Sequence, residues 1–338
     1  MLTVRKPAAE PAIRLQARLV PIQWNSALPV YASESFLKAT GDEYGWIGGS
    51  CDSGPLRCIL PFTVVRKLGV RMVRFRVETI PVGGELEIYE EKSFLDSVIL
   101  YLRSIGAHLV VPSSNNAIFR TFPTGAVAAP YGTLINALDQ SEEILWKQIS
   151  EAYRKDIRRA VKNGVQIRSG PEYLRDAYII IAETLTRSGM KFKRFAEFEA
   201  LVASLGPNAK VFVAIHEGLT QAALLSPFSG HSAYKLYGGT IPNPTKGAMH
   251  LLHWEAIREF RRIGVKRFNF SGVRINPEKG SKQEGILNFK LRFGGQLVQG
   301  YLWKYPLCPV HFAAYNGAAR LLHGGDVVDQ ERHKLVME

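Results

Sequence analysis

AKVFVAIH (209–216), LTQAALLSP (219–227) and SAYKLYGGTI (232–241) read as three consecutive strands, with GAMHLLHWEAIREFRRI (247–263) as the helix that follows. The turn His216-Glu217-Gly218 has the chemistry of a tight hairpin, which makes the first two strands antiparallel. Beyond the helix come a strand at 266–271 (KRFNFS), a helix carrying NFKLRFGG (288–295) and a strand at 296–304 (QLVQGYLWK). A meander followed by βαβ alternation is the mark of an α/β unit with a mixed sheet.

Upstream, SEEILWKQISEAYRKDIRRAVKNG (141–164) reads as one long helix, with Ser141 as N-cap and Gly164 as the stop. A strand at 165–168 and helices near 171–188 and 195–205 lead from it to the meander. Residues 12–135 form a second mixed α/β region, with strands at 57–66, 71–78, 108–112 and 133–137 and a helix at 92–105 closed by Gly106. The expectation is two domains, 1–138 and 139–305, with 306–338 available to complete the first. The polar end, 324–338, reads as a loose tail.

With 338 residues and 46% hydrophobic content the chain has material for real cores. No apolar run approaches the roughly 18 residues of a membrane span, and the basic amino terminus lacks a leader-like apolar stretch. Three cysteines without metal-ligand spacing fit a reducing cytoplasm, and no integral membrane association is expected of a monomer of this composition. The net charge of +13 points to a polyanionic partner or an anionic substrate. Its densest segment is 147–168, where Arg154, Arg158 and Lys162 share a helix face beside Lys155 and Arg159. Asp156 is the only acid within 154–162, so the face is poorly compensated.

Several chemistries have no foothold. His250 and His253 lie one helical turn apart, but a zinc site needs further ligands and none cluster nearby, so no metal is expected. No G-x-S-x-G elbow, Walker A loop or G-x-G-x-x-G is present. One residue stands out instead. Ile286, Phe289, Lys290 and Phe293 recur at i, i+3, i+4 and i+7, which puts a lysine on an otherwise apolar stripe. Either its stem covers apolar surface while its head is wet, or a cation is held at the rim of a site. Gly294 and Gly295 end that helix.

From about residue 131 the motifs YGTLINALDQSEEILWKQI (131–149), YRKDIRRAVKNGVQI (153–167), YKLYGGTIPNPTKGAMHLLHWEAIREFRRIGVKRFNFSG (234–272) and NFKLRFGG (288–295) are similar to those of the Fem family. Its members are aminoacyl-tRNA-dependent peptidyltransferases built from tandem acetyltransferase-like (GNAT) domains. SESFLKATGDEYGW (33–46) extends the likeness loosely into the first domain. The resemblance implies two tandem GNAT-like domains of the short, arm-less type. It implies catalytic roles for Lys290, as partner of a developing oxyanion, and for Phe289 and Tyr237. It implies acceptor binding by Arg194, with Phe198 where the family often has Tyr, and by Lys38 from the first domain. Arg154, Lys155, Arg158, Arg159 and Lys162 would then face the tRNA. The family strand often reads aromatic-Asp-Phe-x-Gly, where this chain has Asn269, which argues against a carboxylate base there.

The expected activity is transfer of an amino acid from aminoacyl-tRNA to an amine of a peptide or nucleotide-linked peptide precursor, as in peptidoglycan or natural-product assembly. An acyl-CoA-dependent N-acyltransferase on the same fold is the first rival. GNAT enzymes that use coenzyme A grip its pyrophosphate with a Gln/Arg-x-x-Gly-x-Gly/Ala loop. Here the loop is NPTKGAMHLLHW (243–254), with Pro244 and Met249 at two of those places, which disfavours coenzyme A and leaves no cofactor expected. The second rival is a non-catalytic RNA-binding module, which would keep the basic helix without needing Lys290.

Overall fold

A computed structural model describes residues 14–51 and 54–337. Residues 1–13, on which the reading of the amino terminus partly rests, lie outside that range. The chain divides into two units, the first comprising the described residues up to Ile22, Asp42–Ala129 and those from Gly300 onward, the second Gln23–Gly41 and Pro130–Gln299.

In the first unit β1 (Gln16–Val20), β2 (Glu43–Ser50), β3 (Leu56–Lys67) and β4 (Val70–Phe75) are successive antiparallel neighbours. Helix α2 (Ile88–Ser104) then returns the chain to β6 (Leu109–Val110), parallel to β4; the short β5 (Ile80–Pro81) pairs with β3. The last part of β14 (Gln296–Pro306) pairs antiparallel with β6, Tyr305 opposite Val110. Trp303 thereby enters a core with Phe75, Phe94 and Phe119. Two helices follow, α9 (Pro309–His323) and α10 (Val327–Met337). The expected loose tail is therefore a helix. Its residue Val328 is fully buried, and Asp326 and Asp329 clasp the buried Lys304 of β14 at 2.9 and 2.7 Å.

The second unit opens with α1 (Glu34–Thr40), capped by Ser33, and continues with β7 (Val127–Ala137), α3 (Glu142–Gln148), α4 (Glu151–Lys162), β8 (Gln166–Ser169), α5 (Leu174–Arg187) and α6 (Phe195–Leu205). The meander is β9 (Ala209–His216), β10 (Leu219–Pro227) and β12 (Tyr237–Thr240), in the sheet order β12-β10-β9-β8. Between β10 and β12 the two residues of β11 (Ala233–Tyr234) run parallel to β13 (Arg267–Val273), which pairs antiparallel with β7. Helix α7 (Ala248–Arg262) links meander to β13, and α8 (Lys282–Leu291) follows. One core lies around Phe212, Phe260, Phe268, Phe270 and Phe293; another joins α5 and α6 to the meander through Ile180, Ile181, Phe198 and Val213.

Three departures from the sequence reading matter for the site. The helix expected over 141–164 breaks at Ile149, whose extended backbone (ψ 134°) lets its side chain bury, while the Ser150 N–H turns to donate to the Arg292 carbonyl at 2.8 Å. The strand expected over 232–241 divides between two sheets, which leaves Lys235 at the crossing point. Residues 23–41, expected in the first domain, belong to the second unit, where α1 packs on α6. Gly247 caps α7 in the left-handed region (φ 86°), and a Cβ there would lie 2.1 Å from the Asp156 carbonyl oxygen of α4.

Candidate active site

Strand β13 carries a bulge. Its pairing with β7 advances three residues, from Asn269 to Gly272, while β7 moves two, from Ile135 to Thr133. Ser271, within the bulge, has φ 63°, a conformation that costs a non-glycine residue roughly 1–2 kcal/mol. The Asn269 side chain holds it in place, its Oδ1 accepting from the Ser271 N–H and the Thr133 hydroxyl, both at 2.7 Å. Ser271 Oγ in turn donates to the Lys235 carbonyl at 2.7 Å, and the Lys235 N–H donates to the Asn269 carbonyl at 2.9 Å. Asn269 is thus a builder of the bulge, with its acceptor oxygen already occupied, and does not stand free as a proton acceptor.

The bulge turns two successive carbonyls toward α8. Lys290 Nζ donates to Ser271 O at 2.8 Å and to Gly272 O at 2.9 Å. The lysine side chain is enclosed, the only buried residue of α8. Snorkelling to water is therefore ruled out by its burial. An ammonium has three N–H donors, so two are committed to the bulge and one remains. Burial drives the Lys290 pKa well below the ordinary lysine value, and the neighbouring Lys235 pushes it the same way. Lys235, half-buried, has its own pKa lowered by burial to about 8, and its ammonium lies over the Phe289 ring, 5.1 Å from the centroid. No carboxylate forms an ion pair with either lysine among the described residues.

Aromatic rings close the back of this place. Phe289 packs on Tyr153, His253 and Phe293 at centroid distances of 5.7, 5.2 and 5.2 Å. His253 is fully buried, its Nδ1 2.9 Å from the Met249 carbonyl, and burial followed by the Lys235 charge keeps it neutral, with its pKa well below the usual value. His250 packs tilted against Tyr153, ring centroids 4.1 Å apart, so both histidines are packing residues of α7. The carboxyl end of α8 is fixed by the Asn136 amide, which donates to the Phe293 carbonyl at 2.9 Å, and by Gly294 (φ 79°), where a Cβ would meet Gln148 at 2.6 Å. The double glycine noted in the sequence therefore lets the α8 end press against α3.

The other expected residues form a second group. Arg194 precedes α6, is 86% exposed, and pairs with Glu197 at 3.0 Å. An exposed pair of this kind contributes little, so an anion can displace it at little cost. Phe198, expected to touch an acceptor, is instead fully buried among Tyr178, Phe192 and Tyr237 and is a core residue. Tyr237 opens β12 half-buried, with Phe192 at 5.0 Å and the Lys193 ammonium 5.5 Å from its ring. Lys38 is exposed on α1, which packs on α6 within the second unit. Lys235 was missed by the sequence reading; a lysine between an aromatic pair, YKLY, gives no sign that the chain is changing sheets there.

On α4, Lys155, Arg158, Arg159 and Lys162 are exposed. Arg154 is not a free cation. It donates to the Lys147 carbonyl at 3.0 Å and to Glu151 at 2.5 Å, with 20% of its side chain exposed, and so splices α3 to α4. Glu151, just outside the window read as uncompensated, also reaches Arg158 at 3.4 Å. Arg158 lies over Trp146, 5.7 Å from the ring centroid, at the side of a groove of about 820 Å³ that Lys162 and Trp254 also line, with Glu142, Glu143 and Glu255 among its other walls.

The meander, the helix α7 after it and the parallel pairing of β11 with β13 define a GNAT-like acyltransferase fold. Residues 214–320 match the model of the FemAB family, a segment that contains Lys235, the bulge and Lys290. The solved structure of FemX is similar, with a TM-score of 0.63, 16% identity, and coverage of 84% of this chain and 92% of that one. The C-terminal domain of a candidate lysylphosphatidylglycerol synthetase from Agrobacterium fabrum gives 0.52, 13% identity, 78% and 86%. A conserved Bacteroides thetaiotaomicron protein of unknown function gives 0.50, 14% identity, 82% and 91%. No curated protein matches the sequence.

Proposed function

We propose that this chain is a Fem-type transferase that moves an aminoacyl group from aminoacyl-tRNA to an amine of a peptide or nucleotide-linked peptide precursor. The observation that carries the reading is the buried Lys290 ammonium, held by two bulge carbonyls beside a second lysine and without a counter-carboxylate. Two cations crowded together in a poorly solvated place gain most when negative charge appears between them. A neutral ester supplies none; the tetrahedral adduct does. Stabilisation therefore falls mainly on the transition state, which is what accelerates the chemical step.

In the reaction the acceptor amine lone pair forms the N–C bond, negative charge collects on the former carbonyl oxygen, and the third N–H of Lys290 is the donor for it. Collapse breaks the ester C–O bond, and the ribose oxygen departs with a proton that originated on the amine. An ester is already activated, so no strong base is required, in keeping with an Asn at position 269. The exposed cations of α4 would take tRNA phosphates, and Arg194 with Lys38 an anionic group of the acceptor.

The test is a direct comparison of donors. Purified protein with charged tRNA and a panel of precursor amines is expected to form amide product, and acetyl-CoA with the same amines none. Amide formation from acetyl-CoA at a higher kcat/KM would replace this reading with the coenzyme A rival. Binding of tRNA with no transfer to any amine of the panel would favour the RNA-binding module.

A further inference from the structure

The first unit contains a cavity of about 510 Å³ between α9 and the β3–β4 hairpin, a size within the roughly 300–1,000 Å³ range of small-ligand sites. Val65, Val70, Met72 and Val111 wall it on the sheet side, and Ala318 and Leu322 on the helix side. Leu68 at the hairpin tip (95% exposed) and Leu322 (73% exposed) extend the apolar surface outward. Arg74 lines this apolar place too. Its Nε is enclosed and has no hydrogen-bond partner among the described residues.

The carboxylates at this end of the unit are held by another cation, although Asp329 Oδ2 keeps no partner of its own. Asp326, at the edge of the cavity, and Asp329 both bind Lys304, and Asp326 Oδ1 also accepts from the Asp329 N–H at 3.0 Å. Arg74 is left without an ion-pair partner among the described residues. Burial weakens its hold on its proton, opposed by the nearby Tyr315. A half-buried guanidinium whose enclosed Nε has no partner is costly to keep, and its planar fork suits a carboxylate or phosphate.

We propose that this cavity binds an anionic head carried on an apolar chain, with Arg74 taking the head and the β3, β4 and α9 walls taking the chain. A bare inorganic anion would leave the apolar walls unfilled, and a neutral chain would leave Arg74 unpaired. The inference is independent of the transfer reaction proposed above, because none of the residues it uses belongs to the Lys290 site.

Calorimetry with decanoate, decyl phosphate, decanol and inorganic phosphate tests it on the full chain. Decanoate or decyl phosphate is expected to bind at least tenfold tighter than decanol or inorganic phosphate. Arg74→Met should erase that tenfold preference, with a melting temperature equal to or above wild type because an unpaired charge is removed. Ala318→Trp, which fills the cavity from the helix side without touching Arg74, should weaken every chain-bearing probe. Flotation with phosphatidylglycerol but not phosphatidylcholine vesicles would assign the head to a bilayer lipid, and binding of monomeric probes without flotation to a free amphiphile; both support the proposal. Equal affinity for decanoate and decanol, no binding of any chain, or unchanged decanoate binding in both variants would overturn it.

Discussion

Lys290 rests its ammonium on the carbonyl oxygen of Ser271 at 2.8 Å, and Ser271 is one of three non-glycine residues with positive φ among the described residues. The strain and the charge are parts of one device. A regular β13 would point its carbonyls along the ladder to β7; the bulge frees those of Ser271 and Gly272 to hold a lysine in a fixed place.

Replacing that lysine separates chemistry from stability. In Lys290→Met two carbonyls lose their donor, at about 1–3 kcal/mol, while a buried ammonium is removed, which offsets much of it. Stability by urea unfolding should change by less than about 2 kcal/mol, whereas single-turnover aminoacyl transfer should slow by roughly 100-fold or more. Lys290→Arg should rescue poorly, since a planar fork does not reproduce a point charge on two carbonyls. Full activity in Lys290→Met would remove this residue from the reaction.

Lys235 has a pH signature. Its folded pKa, about 8, lies below the ordinary value of 10.5. Between those values the unfolded chain holds a proton that the folded chain has released, so the Lys235 contribution to stability rises with pH across that window. Below about pH 8 both states are protonated and the contribution is flat. Urea midpoints compared at pH 7.5 and 10 should show a rise in wild type that is smaller in Lys235→Met. The catalytic rate should fall above about pH 8 as the second cation is lost, and an identical pH profile in Lys235→Met would count against its role.

The basic face calls for a selective reversal. Changing Lys155, Arg158, Arg159 and Lys162 to Glu leaves the Arg154 splice intact and should weaken tRNA binding while flattening its salt dependence. Each lost phosphate contact reduces the log–log slope by about 0.7–0.9. Arg154→Glu, by contrast, should lower the melting temperature, because it breaks the tie between α3 and α4. An unaltered salt slope in the fourfold variant would sink the assignment of α4 to tRNA.

Gly247→Ala should be severe. Left-handed strain costs about 1–2 kcal/mol and forced overpacking against the Asp156 carbonyl about 1–3 kcal/mol more. A loss near 3 kcal/mol in equilibrium unfolding is expected, and a loss under 1 kcal/mol would show that α4 and α7 can separate freely.

Much of the second unit was legible because its elements follow local rules. Ser141 and Gly164 punctuate helices, and the hairpin at Glu217-Gly218 is written in its turn residues. Lys290 was also legible, since a lone cation on an apolar stripe is visible in one helix. Lys235 was not, because its burial arises where one strand leaves a sheet and another begins. Phe198 was misread for the same reason: whether a ring meets ligand or core depends on Phe192 and Tyr237, which reach it from other elements. The helix at 327–337 is polar in sequence and was expected to be loose; its order comes from a distant Lys304.

The strand that carries Lys304 also sets an order on the birth of the protein. The first unit includes residues from both the opening and the close of the chain, so Phe75 and Phe119 leave the ribosome long before Trp303, the ring that packs against both. Throughout synthesis of residues 130–299 that nucleus lacks its keystone, and β6 lacks the strand that pairs with it through Tyr305. The segment translated in the middle thus completes its own unit first, and a chain that stops between residues 299 and 303 lacks the ring that closes the core of Phe75 and Phe119.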